Sequence, residues 1–277
     1  MFQRTVKDKI ELEGVGVHTG RHSRIIIEPA GVDTGIIFKR REFSFPADIN
    51  HVIETGYNIA LGEGKIVIKS CEHLLAAIYG LGLTNLIITV EGDEIPHLDG
   101  SSKVFVDEIL KTGVTEQDRE VEELKLTLPV KEGNNEAFII GLPCGEKSGD
   151  RLFISYFIDY GRKDFKPQLI RIELNEENFI NDIAPARTYV FEDWLGKLFM
   201  NRLAMGGNFE SAIIWTKDGP RTELRFCDEC VRHKVLDLMG ALALLGARFI
   251  GEIIAVRSGH ELDVEFIKRL KISRLED

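Results

Sequence analysis

Two stretches of this chain, far apart in sequence, follow one plan, and that repetition is the strongest constraint on its fold. Each starts a helix close to a histidine, continues into a β-branched strand and ends in a turn carrying His or Asp. In the first, Leu74, Leu75, Ala77, Ile78 and Leu81 form one apolar stripe at helical spacing. This predicts a helix from Ser70 to Gly80, with Ser70 as N-cap, His73 at the third helical position and Gly80 and Gly82 as the stop. Leu86–Val90 reads as a strand, followed by a polar turn and Ile95–Gly100. In the second, Val235, Leu236, Leu238, Met239, Leu242 and Leu245 line one face of a helix from Val231 to Leu245, ended by Gly246. Gly251–Val256 is then a strand, and Ser258–Glu261 a turn containing His260. Such a diverged internal duplication predicts an α+β fold of two similar domains facing each other, with the two helices at a shared cleft.

The rest of the chain fits that frame. Ser23–Glu28 and Gly35–Phe38 are short β-branched runs bounded by Gly, Pro and Asp. Thr112–Glu123 is polar and acidic without apolar period, which sets a first domain at 1–115, a linker at 116–123 and a second domain at 124–277. Val121–Asp159 reads as strands broken by a loop at Gly145–Gly149. Val190–Arg202 reads as a further helix, and its Trp194, Leu195, Leu198 and Phe199 fit either core or an apolar channel, with spacing alone favouring core.

Of the 277 residues, 44% are hydrophobic, enough for one or two real cores. The formal net charge of -10 would repel a polyanion, so nucleic acid is not the expected ligand. Met1–Ile10 does not read as a signal peptide, and no run approaches the roughly 20 apolar residues of a membrane span. A cytoplasmic monomer is the expectation. Cys71, Cys144, Cys227 and Cys230 form no disulfide framework and suit a reducing compartment. Cys227 and Cys230 make a lone CxxC, and without a second pair they read as incidental thiols rather than a zinc site.

The chemistry concentrates in a few residues. His233 and Asp237 are four apart, so on a helix both project from one face, a spacing that suits two ligands on one metal ion. The same spacing also suits an ordinary surface hydrogen bond. Glu72 and His73 offer a base beside a ligand, although a glutamate at a helix start also simply favours the macrodipole. Taken together, His73, His233 and Asp237 would leave a fourth zinc position open to water, with a carboxylate at hand to take its proton. His260 is the candidate donor to a leaving amine, against the plain reading of an exposed loop histidine.

Several segments then recur in a characteristic order: Val15–Gly20, Ser70–Leu74, Glu94–Ser101, Ala186–Tyr189, Gly206–Asn208, Leu224–Phe226, Arg232–Asp237 and Ser258–His260. The series resembles the motifs of the UDP-3-O-acyl-N-acetylglucosamine deacetylase family of lipid A biosynthesis, from about Val6 to Ile267. The resemblance implies two α+β domains, each a small sheet layered with two helices, with the active site between them. It implies zinc on His73, His233 and Asp237, Glu72 as general base, His260 as general acid and Thr188 as a hydrogen-bond donor to the developing oxyanion. Lys234 would help hold the anionic part of a UDP-linked acylated amino sugar. An insert around 189–208 would carry an acyl passage, with Tyr189, Leu195, Leu198, Phe199 and Leu203 as substrate contacts.

The chain departs from that pattern at a few positions. Ala241 stands where the family usually has an aspartate paired with the catalytic histidine. Asp263 is a possible stand-in where Asn is commoner, and His97 replaces an aliphatic residue. Two other functions therefore enter beside the deacetylase: a paralogue acting on another acylated amino sugar, and a low-turnover zinc-binding regulator or carrier.

Overall fold

The computed structural model describes residues 1–145 and 149–276, with side chains to Ser273. The centre of the loop expected at Gly145–Gly149 lies outside the described residues. The first half runs β1 (Phe2–Val6), β2 (Ile10–Val15), β3 (His22–Pro29), β4 (Ile36–Arg40) and β5 (Phe43–Pro46). It continues with the small sheet β6 (Val52–Glu54), β7 (Ala60–Glu63) and β8 (Ile66–Ile68), then α1 (Glu72–Gly80), β9 (Leu86–Glu91) and α2 (Lys103–Thr112). The second half opens with β10 (Val114–Glu120), β11 (Glu123–Lys125), β12 (Val130–Gly133), β13 (Phe138–Leu142), β14 (Leu152–Ile158) and β15 (Gln168–Leu174). After the single turn α3 (Glu176–Asn178) come β16 (Tyr189–Phe191), α4 (Glu192–Met200), β17 (Ile213–Thr216) and β18 (Gly219–Pro220). The chain closes with α5 (Glu229–Ala243), β19 (Arg248–Val256) and α6 (His260–Glu276).

The duplication is visible in the topology. The first sheet has the order β2-β3-β9-β4-β5 and the second β12-β13-β19-β14-β15. In each, the central strand pairs antiparallel on one side and parallel on the other: β9 with β3 and β4, β19 with β13 and β14. Each central strand lies between two helices in sequence, α1 and α2 in one half, α5 and α6 in the other. The alternation in β3, where Ser23, Ile25 and Ile27 are buried, covers one face of its sheet. β19 is buried from Phe249 to Gly251 and then alternates, Ile253 and Ala255 buried and Glu252, Ile254 and Val256 half-buried, so one face turns to the core.

α1 packs directly on α5, and one contiguous apolar core draws on both halves. Nearly all of α5 is buried, which its apolar run requires. Gly240 sits where a Cβ would lie 2.4 Å from the Glu72 carbonyl oxygen, so the two backbones nearly touch. Toward the other end of the helix pair lies an apolar cavity of about 300 Å³, lined by Ile78, Met239 and Phe249 among others.

Several sequence expectations change. Ser70 does not cap α1: Cys71 holds that position without a side-chain cap, and Ser70 adopts φ 57° with its hydroxyl donating to Glu94 Oε1 (2.7 Å). His73 is consequently the second residue of the helix, not the third. The acidic stretch 116–123 is mostly strand: β10 pairs antiparallel with β1 and β11 runs parallel to β19, so backbone pairing orders a segment with no apolar period. α6 starts at His260 itself, inside the expected turn. The helix at 190–202 is shortened to α4 and has no buried residue, which overturns the core reading. Trp194 and Phe199 are about half exposed, while Leu195, Leu198 and Leu203 are half-buried.

Candidate active site

The α1–α5 contact brings Glu72 and His73 against His233 and Asp237. Ligand atoms of His73, His233 and Asp237 all lie within 4.8 Å of one another. Asp237 Oδ1 is 3.4 Å from His233 Nε2 and 3.9 Å from His73 Nε2. The His73 and His233 rings meet edge to face at 4.9 Å between centroids. His233 Nδ1 is 3.0 Å from the Ala186 carbonyl, which can only accept, so the proton sits on Nδ1 and Nε2 turns a lone pair toward Asp237.

These three residues fit a divalent cation. Asp237 Oδ1 is buried without a hydrogen-bond partner, an expensive condition unless something positive sits beside it. Tetrahedral zinc with ligand bonds near 2.0–2.1 Å spaces its donor atoms about 3.3 Å apart, close to what the two Asp237 distances already provide. Two imidazole nitrogens and a carboxylate oxygen are the donor types zinc accepts.

The electrostatics follow from burial. Burial, and after it the Asp237 charge, pushes the Glu72 carboxyl up to about 8. Burial, reinforced by His233, holds His73 well below the usual imidazole range. Burial raises Asp237 too, but Lys234 and the surrounding histidines outweigh it and keep the carboxylate ionised. For Lys234 burial works downward, yet Asp237 prevails and the ammonium is held charged. Burial brings His260 down to about 4, against an opposing pull from Asp237. A second cation in this cluster would favour the ionised Glu72 and the neutral His73 alike.

Glu72, His73, Thr188, His233, Asp237 and His260 line one small cavity with about 100 Å³ of free space. Ile59 N–H donates to Glu72 Oε2 (2.9 Å), which leaves Oε1 for a solvent molecule. Thr188 is pinned on both sides, its N–H donating to Gly100 O and its carbonyl accepting from Ile213 N–H, each at 2.8 Å. His260 Nε2 stands 4.0 Å from Asp237 Oδ2. Tyr189 is tied to Tyr160 through a 2.5 Å hydroxyl contact and its ring stands 6.2 Å from that of His233, between the site and α4. Leu195, Leu198, Phe199 and Leu203 are not in the cavity wall; they belong to the insert beyond Tyr189.

Lys234 stands beside the site, its Nζ donating to Asp237 Oδ2 at 2.8 Å. Asp263 accepts from the Ser258 hydroxyl (2.8 Å), which in turn meets Tyr156 OH, and no hydrogen bond joins it to His260. His260 Nδ1 is buried without a partner. Ala241 is wholly buried. Cys227 is exposed and Cys230 buried.

Sequence reasoning missed the framework around these groups. His18 and His97 also line the cavity, and His97 Nε2 lies 3.1 Å from Ser211 O. The buried Glu94 carboxylate accepts from His18 N–H, Thr19 N–H, the Thr19 hydroxyl and Ser70 Oγ, fastening the loop before β3 to the entry of α1. Arg187 pairs with the fully buried Glu229 through its backbone N–H (3.0 Å), Nε (2.9 Å) and Nη2 (3.2 Å). That pair holds the Ala186–Thr188 loop on the first turn of α5. Arg187 and Glu94 both stand inside the motif segments, so their place in the series was the available signal.

Fold and site together fit a class, the metal-dependent hydrolases: a duplicated fold brings Glu72 and His73 of one half against His233 and Asp237 of the other. A family model described as UDP-3-O-acyl N-acetylglycosamine deacetylase matches residues 3–271. A UDP-3-O-acyl-N-acetylglucosamine deacetylase of Thermodesulfovibrio yellowstonii is 39% identical over 273 residues, covering 97% of this chain and 91% of its own. Enzymes of the same name from Chlamydia pneumoniae (39% identical, 97% and 96% covered) and Leptospira biflexa (34%, 97% and 89%) are similar over comparable lengths. The chain belongs to the UDP-3-O-acyl-N-acetylglucosamine deacetylase family, a family of zinc-dependent amidohydrolases.

Proposed function

We propose that this chain hydrolyses the N-acetyl group of a UDP-3-O-acyl-N-acetylglucosamine, releasing acetate, with zinc held by His73, His233 and Asp237. The observation that carries this is the convergence of Glu72, His73, Thr188, His233, Asp237 and His260, from separate parts of the chain, on one cavity. The names of the relatives, all deacetylases of that substrate, supply its chemistry.

Zinc, when bound, supplies a Lewis acid that makes water acidic near neutral pH and polarises an amide carbonyl. Glu72 takes the proton of the attacking water at Oε1, its other oxygen being held by Ile59. The cation's charge counters the burial that otherwise keeps this carboxyl protonated. Thr188 donates its hydroxyl to the carbonyl oxygen as negative charge grows there, from a backbone already fixed at both ends. His260 gives a proton to the departing nitrogen. Its imidazole rests neutral in the free site, and both the developing oxyanion and an anionic nucleotide favour the imidazolium during reaction.

About 100 Å³ suits the acetamido group and little more, so the nucleotide and acyl chain extend away from the cavity. Tyr189 leads toward α4, where Leu195, Leu198, Phe199 and Leu203 offer apolar contact for the acyl chain. Each methylene covered there is worth about 0.8 kcal/mol. A cytoplasmic place for the enzyme is part of the same proposal, supported by its four unpaired cysteines. Among the described residues no helix is long and apolar enough to cross a membrane.

Acetate release from the UDP-linked substrate tests the assignment. Glu72→Ala and His73→Ala are expected to abolish it, and a chelator to do so reversibly on zinc return. Full activity in either variant would overturn the proposal.

A further inference from the structure

His97 stands in the cavity wall, its ring 6.1 Å from that of His73, yet no step of the hydrolysis uses it. Burial brings its imidazole down to about 4, so near neutral pH the ring is uncharged and carries a single N–H. The Ser211 carbonyl, 3.1 Å from Nε2, can only accept, so that N–H is on Nε2 and donates to it. The bond crosses the molecule: His97 lies between β9 and α2 in the first half, Ser211 just ahead of β17 in the second.

That bond closes a ring of contacts around Thr188. Gly100 N–H donates to the His97 carbonyl (2.9 Å), Thr188 N–H to the Gly100 carbonyl (2.8 Å) and Ile213 N–H to the Thr188 carbonyl (2.8 Å). Only Ala212 separates Ile213 from Ser211, whose carbonyl leads back to the His97 ring. Thr188 is therefore suspended between Gly100 and Ile213, and the His97 side chain fixes the spacing of those two segments from the far side. Neither segment has room to drift toward the other: a Cβ on Gly100 would lie 1.7 Å from Ser211 O. Asn208 Oδ1 anchors Ser211 in turn by accepting its N–H at 2.9 Å.

We propose that His97 is a positioning residue for Thr188, its Nε2–H clamping together the two segments that hold the oxyanion donor. A donor helps only where it meets the carbonyl oxygen as charge grows there, so small errors in its placement weaken the transition state more than the bound substrate. An aliphatic side chain at this position fills space but leaves the Ser211 carbonyl without its donor, so the clamp is a feature of this chain rather than of the usual family pattern. Arg225 braces the same turn independently, its Nη1 donating to Asp99 Oδ2 and to the Pro185 carbonyl, each at 2.8 Å. Loss of the imidazole donor should therefore leave the fold standing. The inference rests on reading Thr188 as the oxyanion donor of the deacetylase.

The test measures steady-state acetate release and zinc content for His97→Leu, His97→Gln, Thr188→Val and the double variant His97→Leu with Thr188→Val. His97→Leu is expected to lower kcat about tenfold, a part of the roughly 100- to 1000-fold that losing an oxyanion donor costs. Its KM and zinc content should stay as in wild type. His97→Gln, whose amide N–H can reach the Ser211 carbonyl, should recover most of the loss. Because the effect runs through Thr188, His97→Leu should cost little more once Thr188 is valine. His97→Asn, with an amide too short for that carbonyl, takes the place of the leucine variant if the latter does not fold. Wild-type kcat in His97→Leu, an equal loss in His97→Gln, full additivity with Thr188→Val, or a loss of zinc would each overturn the role. Full activity in Thr188→Val would instead sink the reading of Thr188 as the donor, and no acetate release by wild type the deacetylase reading itself.

Discussion

Gly240→Ala sets two physical rules against each other. In a helix interior, glycine to alanine should stabilise by about 1 kcal/mol through backbone propensity alone. Here the new Cβ would stand 2.4 Å from Glu72 O and 2.9 Å from Glu72 Cα, where ordinary contact starts near 3.4 Å. Neither partner is a flexible side chain, so α1 and α5 must separate by about 1 Å. Overpacking of this kind costs about 1–3 kcal/mol, which leaves a net loss of roughly 0–2 kcal/mol and a melting shift of a few degrees. The site should suffer far more, because Glu72 and His73 ride on one helix and His233 and Asp237 on the other. A misplacement near 1 Å can cost about a hundredfold in rate. Differential scanning calorimetry, zinc competition and kcat/KM for acetate release would together show activity falling much further than stability. An alanine variant that is more stable than wild type and fully active would refute the argument.

Other perturbations probe the framework. Hydrogen bonds from His18, Ser70 and Thr19 outweigh the burial of Glu94 and leave its carboxyl lower than usual in the folded chain. A depressed folded value adds stability above the ordinary 4.5 that disappears as pH falls through the folded value, so Glu94→Gln should melt below wild type at pH 7 and converge with it in acid. Arg187→Met leaves the buried Glu229 without its counter-charge, with only the backbone N–H groups of residue 187 and Arg225 as donors, and should cost up to about 3–5 kcal/mol by denaturant titration. Phe199→Ala, on an exposed face, should change stability by less than about 0.5 kcal/mol yet raise KM for long-acyl substrates, and an unchanged KM would remove α4 from the acyl site.

The parts of the site that lie on periodic segments were legible in the sequence. The stripes of α1 and α5 fix which faces are apolar, and the i,i+4 spacing of His233 and Asp237 fixes that they project together. The duplicated unit likewise announced two equivalent layers, which the strand orders show. Long-range pairings leave no such trace. Nothing local in Ser70 says that its hydroxyl is claimed by Glu94, or in Glu229 that it meets Arg187. The β10 segment lacks alternation because only backbone pairing with β1 orders it. α4 misled for the opposite reason: its apolar residues have the spacing of a core helix, but the chain leaves them outside.

The matching strand orders have a consequence for how this architecture can change. α1 and α5 occupy equivalent places ahead of their central strands, and their contact has the chemistry toward one end and the apolar cavity toward the other. A chimera built from the front portion of one relative and the rear portion of another would keep each five-strand layer intact but would have to rebuild the β1–β10 pairing and the Thr188–Gly100 hydrogen bond. Its most demanding fit would be where α1 meets α5, a glycine on one side against a bare backbone on the other.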